Sequence, residues 1–303
     1  MIRPSTCMRR VSRIISGSAI VVAFTLTGCF PLGGPTSTFE SEGIEIVFRD
    51  VGEGEPILLL HGFGVTGRMQ WAQVSGELSD RWRLVIPDHR GHGESEKPIG
   101  ADAYGTLMVE DAVRLLDHLG IEKVRVAGMS MGGFMAVKAM ALYPERFSCG
   151  FVGAAGWIDP ADVDESFDEE VALAFEQGNG FEMLNSRLNP DSEAGGLLGT
   201  FFFNLLVGDQ DPVVLASVYR GMREFAVERA TLRSLPKSFR LVIGDRDGLL
   251  PTAQALAEVT DRAELEVLPG HDHGSIGSAP RFLESMVEFF EDPALCPPAR
   301  ARS

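Results

Sequence analysis

Residues 124–133, Val-Arg-Val-Ala-Gly-Met-Ser-Met-Gly-Gly, constrain the fold more than any other stretch of the chain. Gly128, Ser130 and Gly132 form a G-x-S-x-G spacing, in which a strand turns sharply into a helix and leaves the serine hydroxyl exposed at the bend. Side chains two residues either side of the serine would collide where strand and helix pass, so both places call for glycine. The flanks suit such a turn. Residues 124–127 are β-branched and apolar apart from Arg125, as a buried parallel strand requires, and 134–142 are rich in Ala, Met and Leu and stop before Pro144. Ser130 is the candidate nucleophile.

From residue 43 onward, short apolar runs alternate with longer segments of helical composition. Strand-like runs fall at 44–48, 57–60, 84–86, 124–127, 150–154, 240–243 and 265–268, and helical segments include 69–78, 104–119, 133–142 and 280–290. This alternation predicts an α/β fold with a mostly parallel sheet covered by helices on both faces. The 303 residues, 45% of them hydrophobic, can fill such a core. One interval, 157–237, breaks the pattern: an acidic helical stretch at 165–177 leads to 197–207, with Phe201, Phe202 and Phe203, and then to 213–232. It reads as a helical lid inserted into a core that occupies 43–156 and resumes at 238–292, with 293–303 as a tail. The aromatic segment either lines an apolar pocket or packs the lid onto the core.

The N-terminus has a separate logic. Residues 1–28 carry Arg3, Arg9, Arg10 and Arg13 and no acid, followed by an apolar stretch at 14–26 that is too short for a permanent membrane span, the pattern of an export signal. Leu26-Thr27-Gly28-Cys29 resembles the lipobox of bacterial lipoproteins. That resemblance implies cleavage before Cys29, lipidation of its sulfur, anchorage to a membrane facing the periplasm or the cell exterior, and residues 29–42 as a flexible tether. An ordinary secretory signal cut at a nearby small residue is the alternative. Loss of the four arginines takes the net charge from -16 to about -20, which disfavours a polyanion such as nucleic acid as partner.

A serine hydroxyl needs a base to take its proton and a third group to orient that base. His271 and His273, in Leu-Pro-Gly-His-Asp-His-Gly, follow the last strand-like run, whereas His61, His89, His92 and His118 read as structural. Asp245 and Asp247, in Gly-Asp-Arg-Asp-Gly, leave the preceding run; Asp159 is an earlier candidate, and Asp88 beside Arg90 reads as the holder of its own turn.

Taken in order, the serine elbow, the Gly244-Asp245-Arg246-Asp247 turn and the Leu268-Pro269-Gly270 segment resemble the α/β-hydrolase family over about residues 43–291. The resemblance implies Ser130 as nucleophile, Asp247 as acid, three positions past Gly244, and His273 as base, with His271 its competitor. It also implies that the backbone amides of Met131 and of Phe63, in His61-Gly62-Phe63-Gly64, form the oxyanion hole. Relatives that act as dehalogenases or epoxide hydrolases carry aspartate at the elbow, so Ser130 points to the esterase, lactonase and carbon–carbon hydrolase branch.

The expected activity is hydrolysis of small carboxylic esters with apolar acyl or aromatic groups through an acyl-enzyme. Lactone opening, carbon–carbon cleavage, perhydrolysis and a catalytically silent ligand-binding lipoprotein are its rivals. No metal, nucleotide or flavin cofactor is implied, because the chain has no Walker loop, the glycines of 128–133 do not form the G-x-G-x-x-G spacing, and no H-E-x-x-H or paired C-x-x-C accompanies His271, Asp272 and His273. Oligomeric state is not legible. In the family's fold the strand carrying Cys149 begins, and the last helix before Cys296 ends, at the face opposite the active site, so a disulfide between them is a further expectation of the resemblance.

Overall fold

A computed structural model describes residues 36–190 and 210–298. Eight strands make one sheet in the order β1-β2-β4-β3-β5-β6-β7-β8. They are β1 (Ser37–Ser41), β2 (Ile44–Val51), β3 (Pro56–Leu60), β4 (Arg83–Pro87), β5 (Val124–Met129), β6 (Phe147–Gly153), β7 (Ser238–Gly244) and β8 (Ala263–Leu268). β1 and β2 pair antiparallel, as do β2 and β4; every other pairing is parallel. The central strands read as unbroken apolar runs because both faces are covered. Along β3, Leu58 and Leu60 enter one core cluster while Ile57 and Leu59 enter the other, the two-residue period of a strand buried on both sides.

The helices sort onto those two faces. α3 (Thr106–His118), α4 (Met131–Leu142) and α9 (Leu250–Val259) contribute to one cluster, and α1 (Gly67–Trp71), α2 (Ser75–Ser79) and α10 (Pro280–Glu291) to the other. Between β6 and β7 lie α5 (Glu165–Glu176), α6 (Gly180–Leu188), α7 (Pro212–Gly221) and α8 (Arg229–Ser234). From β3 the chain moves outward to β4 and then returns to place β5 on the other side of β3. The direction of winding therefore reverses between β3 and β5, and the crevice above the C-terminal ends of such a strand pair is where open α/β sheets bind ligands.

Several expectations need correction. Residues 37–41, assigned to the flexible tether, are the edge strand β1. Phe39 turns inward to lie 6.2 Å from the Phe48 ring and 5.5 Å from His118, and the Ser41 hydroxyl donates to Asp111 at 2.5 Å. The helical segment at 69–78 is two short helices, α1 and α2, with Trp71 and Val74 buried at the break. The stretch 104–119 starts its helix two residues later, at Thr106, behind a 3-10 turn over Ala101–Ala103. The signal segment 1–28, Cys29, Phe201, Phe202, Phe203 and residues 299–303 lie outside the described residues.

Cys149, on β6, and Cys296, beyond α10, form a disulfide with their Cα atoms 5.1 Å apart. It joins chain segments 147 residues apart, and such a cross-link stabilises a fold by about 2–4 kcal/mol.

Candidate active site

β5 is buried along its whole length and ends at Ser130, whose φ of 54° and ψ of -120° lie where non-glycine residues are strained. The bend is held from both sides. The Ser130 amide donates to the Gly153 carbonyl on β6 at 2.9 Å, and the Ser130 carbonyl accepts from Gly133 and Phe134 at 2.8 and 3.2 Å as α4 begins. A Cβ at Gly128 would run into the Gly132 carbonyl, and one at Gly132 into the Leu60 carbonyl, so strand, helix and the neighbouring β3 pass backbone to backbone.

His273 Nε2 lies 2.9 Å from Ser130 Oγ, and its Nδ1 lies 2.9 Å from Asp247 Oδ2. The other carboxylate oxygen of Asp247 accepts the Leu249 amide at 2.9 Å, and the Asp247 side chain is shut off from solvent. A buried carboxylate facing Nδ1 fixes the tautomer in which Nε2 can accept the serine proton. None of the competing residues makes a hydrogen bond to the Ser130 hydroxyl or the His273 ring. His271 offers its carbonyl to the Arg246 amide at 3.0 Å, Asp245 accepts the Gly270 amide at 2.7 Å, and Asp159 caps the 3-10 turn at Pro160–Asp162 and pairs with Arg229 at 2.7 Å. Among the described residues, no group of three or more His, Cys, Asp and Glu side chains is arranged to hold a metal ion.

Met131 is the first residue of α4, where an amide has no acceptor within its own helix. The loop after β3 approaches Ser130 from the other side. A Cβ on Gly62 would sit 3.4 Å from Ser130 Cβ, Phe63 shares a cavity with Ser130, and the Phe63 amide donates to no acceptor among the described residues. That loop is pinned by histidine: His61 Nδ1 bonds the Gly62 carbonyl at 2.7 Å, and His61 Nε2 accepts the His89 amide at 2.9 Å. The imidazole is therefore neutral, and burial pushes its pKa down to about 4. His92, 5.1 Å from it ring to ring, is pushed down to about 3, again chiefly by burial.

The neighbouring turn differs from expectation. Asp88 does not pair with Arg90; it points inward and accepts the amides of Gly67 and Glu94 at 2.8 and 3.2 Å. Arg90 instead makes two bonds to Asp111, at 2.6 and 2.7 Å, which fixes the turn to α3.

A cavity of about 320 Å³ opens above Ser130. Among the described residues, Phe63, Phe134, Trp157 and Tyr219 give it apolar walls, and Asp168 and Arg187 also line it. Burial raises the pKa of Asp168, and the charge of Arg187 draws it back. The Arg187 guanidinium stacks 4.2 Å above the Phe167 ring and forms no ion pair among the described residues. Sequence reasoning passed over Arg187, and over Asn189, whose side-chain oxygen accepts the His273 amide at 3.0 Å.

Comparison with known proteins agrees with this geometry at the level of fold. A family model for the alpha/beta hydrolase fold matches residues 55–176. The chain is 29% identical over 276 residues to a 2-hydroxymuconate semialdehyde hydrolase of Pseudomonas sp. (strain CF600), covering 82% of this chain and 92% of that relative. A hydrolase from Pseudomonas aeruginosa PA01 has a similar structure, with a TM-score of 0.72 at 20% identity over 86% of this chain and 100% of its own. A thermophilic esterase from Thermogutta terrifontis is similar with a TM-score of 0.70 at 25% identity, over 85% and 98% respectively.

Proposed function

This chain belongs to the α/β-hydrolase family, and from that premise we propose that it is a serine hydrolase of carboxylic esters with apolar acyl or aromatic groups. The observation that carries the reading is the hydrogen-bonded line from Ser130 Oγ through His273 to the buried Asp247. His273 Nε2 takes the hydroxyl proton as Ser130 Oγ attacks the ester carbonyl, and the amides of Met131 and Phe63 stabilise the oxyanion, a contribution of about 3–4 kcal/mol per donor. The proton passes to the leaving alcohol. Water, deprotonated by the same imidazole, then releases the acid from Ser130, while Asp247 stabilises the imidazolium at both steps.

The same reading includes export and a lipid anchor at Cys29, with the acyl chains holding the domain at a membrane surface. Supporting it are the Leu26-Thr27-Gly28-Cys29 sequence and the Cys149–Cys296 disulfide, a bond that persists in oxidising compartments. Metabolic labelling with palmitate, lost in Cys29→Ala, is the expected result; equal labelling of the variant would remove the anchor.

One observation favours a second reading, cleavage of a carbon–carbon bond beside a ketone in a carboxylate-bearing substrate. Arg187 lines the cavity and has no ion pair among the described residues, and the 29% identical relative is named a 2-hydroxymuconate semialdehyde hydrolase, after a carboxylate-bearing carbonyl compound. A panel of p-nitrophenyl esters from acetate to palmitate, run beside a carboxylate-bearing diketone, separates the two. Ester turnover that falls at least about 10³-fold in Ser130→Ala supports the first reading. Turnover of the diketone alone would support the second, and inert wild type on every substrate would overturn both.

A further inference from the structure

The C-terminal end of α6 touches both loops that carry the acid and the base. The Leu188 carbonyl accepts the amide of Gly248, the residue after Asp247, at 2.8 Å. One residue on, Asn189 Oδ1 accepts the amide of His273 at 3.0 Å. The approach to the acid loop is so close that a Cβ on Gly248 would run into the Arg187 carbonyl. Asn189 is itself braced: its Nδ2 donates to Asn185 Oδ1 at 2.8 Å, and its amide to the Asn185 carbonyl at 2.9 Å.

An imidazole that must serve Ser130 on one side and Asp247 on the other, each at 2.9 Å, tolerates little rotation or drift. The base loop is tied to the acid loop by the bond from the Arg246 amide to the His271 carbonyl at 3.0 Å. That bond lies at the root of the loops. At their tips, beside the reacting groups, the bonds to Leu188 and Asn189 come from the inserted helices rather than from the sheet.

We propose that the end of α6 is a latch in which Asn189 acts as a positioning residue, holding the backbone of His273 at its working distance from Ser130 and Asp247. The lid then has two tasks: the turn that presents Arg187 and Leu188 to the cavity is the turn that fixes the base. Displacement of α6 loosens the acid–base pair, so full reactivity of Ser130 requires the lid in place. This inference rests on the serine-hydrolase reading above.

The test is the rate at which a fluorophosphonate modifies Ser130, a reaction that forms a phosphorus–oxygen bond, expels fluoride and hands the serine proton to His273. Full-length wild type, Asn189→Ala, Asn189→Asp and Ser130→Ala are compared, with kcat and KM measured on whichever ester turns over. Asn189→Ala is expected to react about tenfold more slowly and to lose kcat in proportion, with KM within about twofold and an unfolding midpoint lowered by only a few degrees, well above the assay temperature. Asn189→Asp keeps an acceptor for the His273 amide and is expected to recover most of the rate. Gly248→Ala, which pushes α6 off the acid loop, is expected to slow the reaction at least as much as Asn189→Ala. An Asn189→Ala protein that labels at the wild-type rate, or an Asn189→Asp protein as slow as the alanine variant, overturns the latch while leaving the nucleophile intact. Wild type that fails to label, like Ser130→Ala, brings down the serine-hydrolase reading and the latch with it.

Discussion

The floor and the roof of the cavity are built by different means. The floor is backbone packed on backbone: β5 is wholly buried, and neither Gly128 nor Gly132 has room for a single added carbon. The roof is side chain packed on side chain. Phe63 and Tyr219, which line the cavity, meet the ring of Phe175 at 5.2 and 6.0 Å, and on the exposed side of the lid Arg220 of α7 bridges Glu169 and Glu176 of α5 at 2.7 Å. The floor therefore fixes which atoms can react, and the roof fixes what fits above them. Substitution should be costly in the first and graded in the second.

The largest expected effect falls on the chemistry of the floor. Asp247→Asn keeps the shape but leaves His273 in the wrong tautomer, and kcat for an ester substrate is expected to fall about 10⁴-fold with little change in unfolding temperature. Gly132→Ala attacks the packing itself. Its Cβ meets the Leu60 carbonyl, and urea unfolding should show a loss of about 3 kcal/mol or more.

Acid should weaken the loop pinned by histidine. His61 and His92 bind protons more weakly folded than unfolded, so their contribution is complete above the ordinary histidine value of 6.5 and is lost as the pH falls toward 4 and 3. Unfolding at pH 4.5 against pH 7.5 should show a loss on the order of 2 kcal/mol from His61 alone, and His61→Gln should flatten that dependence. The smallest effect belongs to the outside of the roof. Arg220→Ala breaks a half-exposed pair of ion bridges and should cost about 0.5 kcal/mol, with kcat unchanged. An Arg220→Ala variant as damaged as Gly132→Ala would erase the contrast between the two regions.

What the sequence made legible was local. The elbow is five consecutive residues whose spacing states its own steric reason, and the apolar runs of β3, β5 and β7 announce a buried parallel sheet. Contacts between distant residues were hidden. β1 carries one apolar residue, Phe39, and becomes a strand only because Phe48, His118 and Asp111 receive it. Arg90 has an acid two residues away in sequence, yet pairs with Asp111, because Asp88 is drawn inward to accept the amides of Gly67 and Glu94. Asn189 reads as an ordinary helix end, and its bond to His273 spans 84 residues. The charged lining of the cavity was hidden for a similar reason: composition lists the side chains of α5 and α6 but does not say that Asp168 and Arg187 turn toward the cavity.

The central claim is covalent catalysis by Ser130, and the most direct measurement is intact-mass analysis after rapid acid quench of the enzyme mixed with excess ester, followed by peptide mapping. An increment equal to the acyl group, carried by the peptide that contains Ser130 and absent in Ser130→Ala, is the expected result. Turnover with no adduct at any quench time, or an adduct that persists in Ser130→Ala, would contradict it.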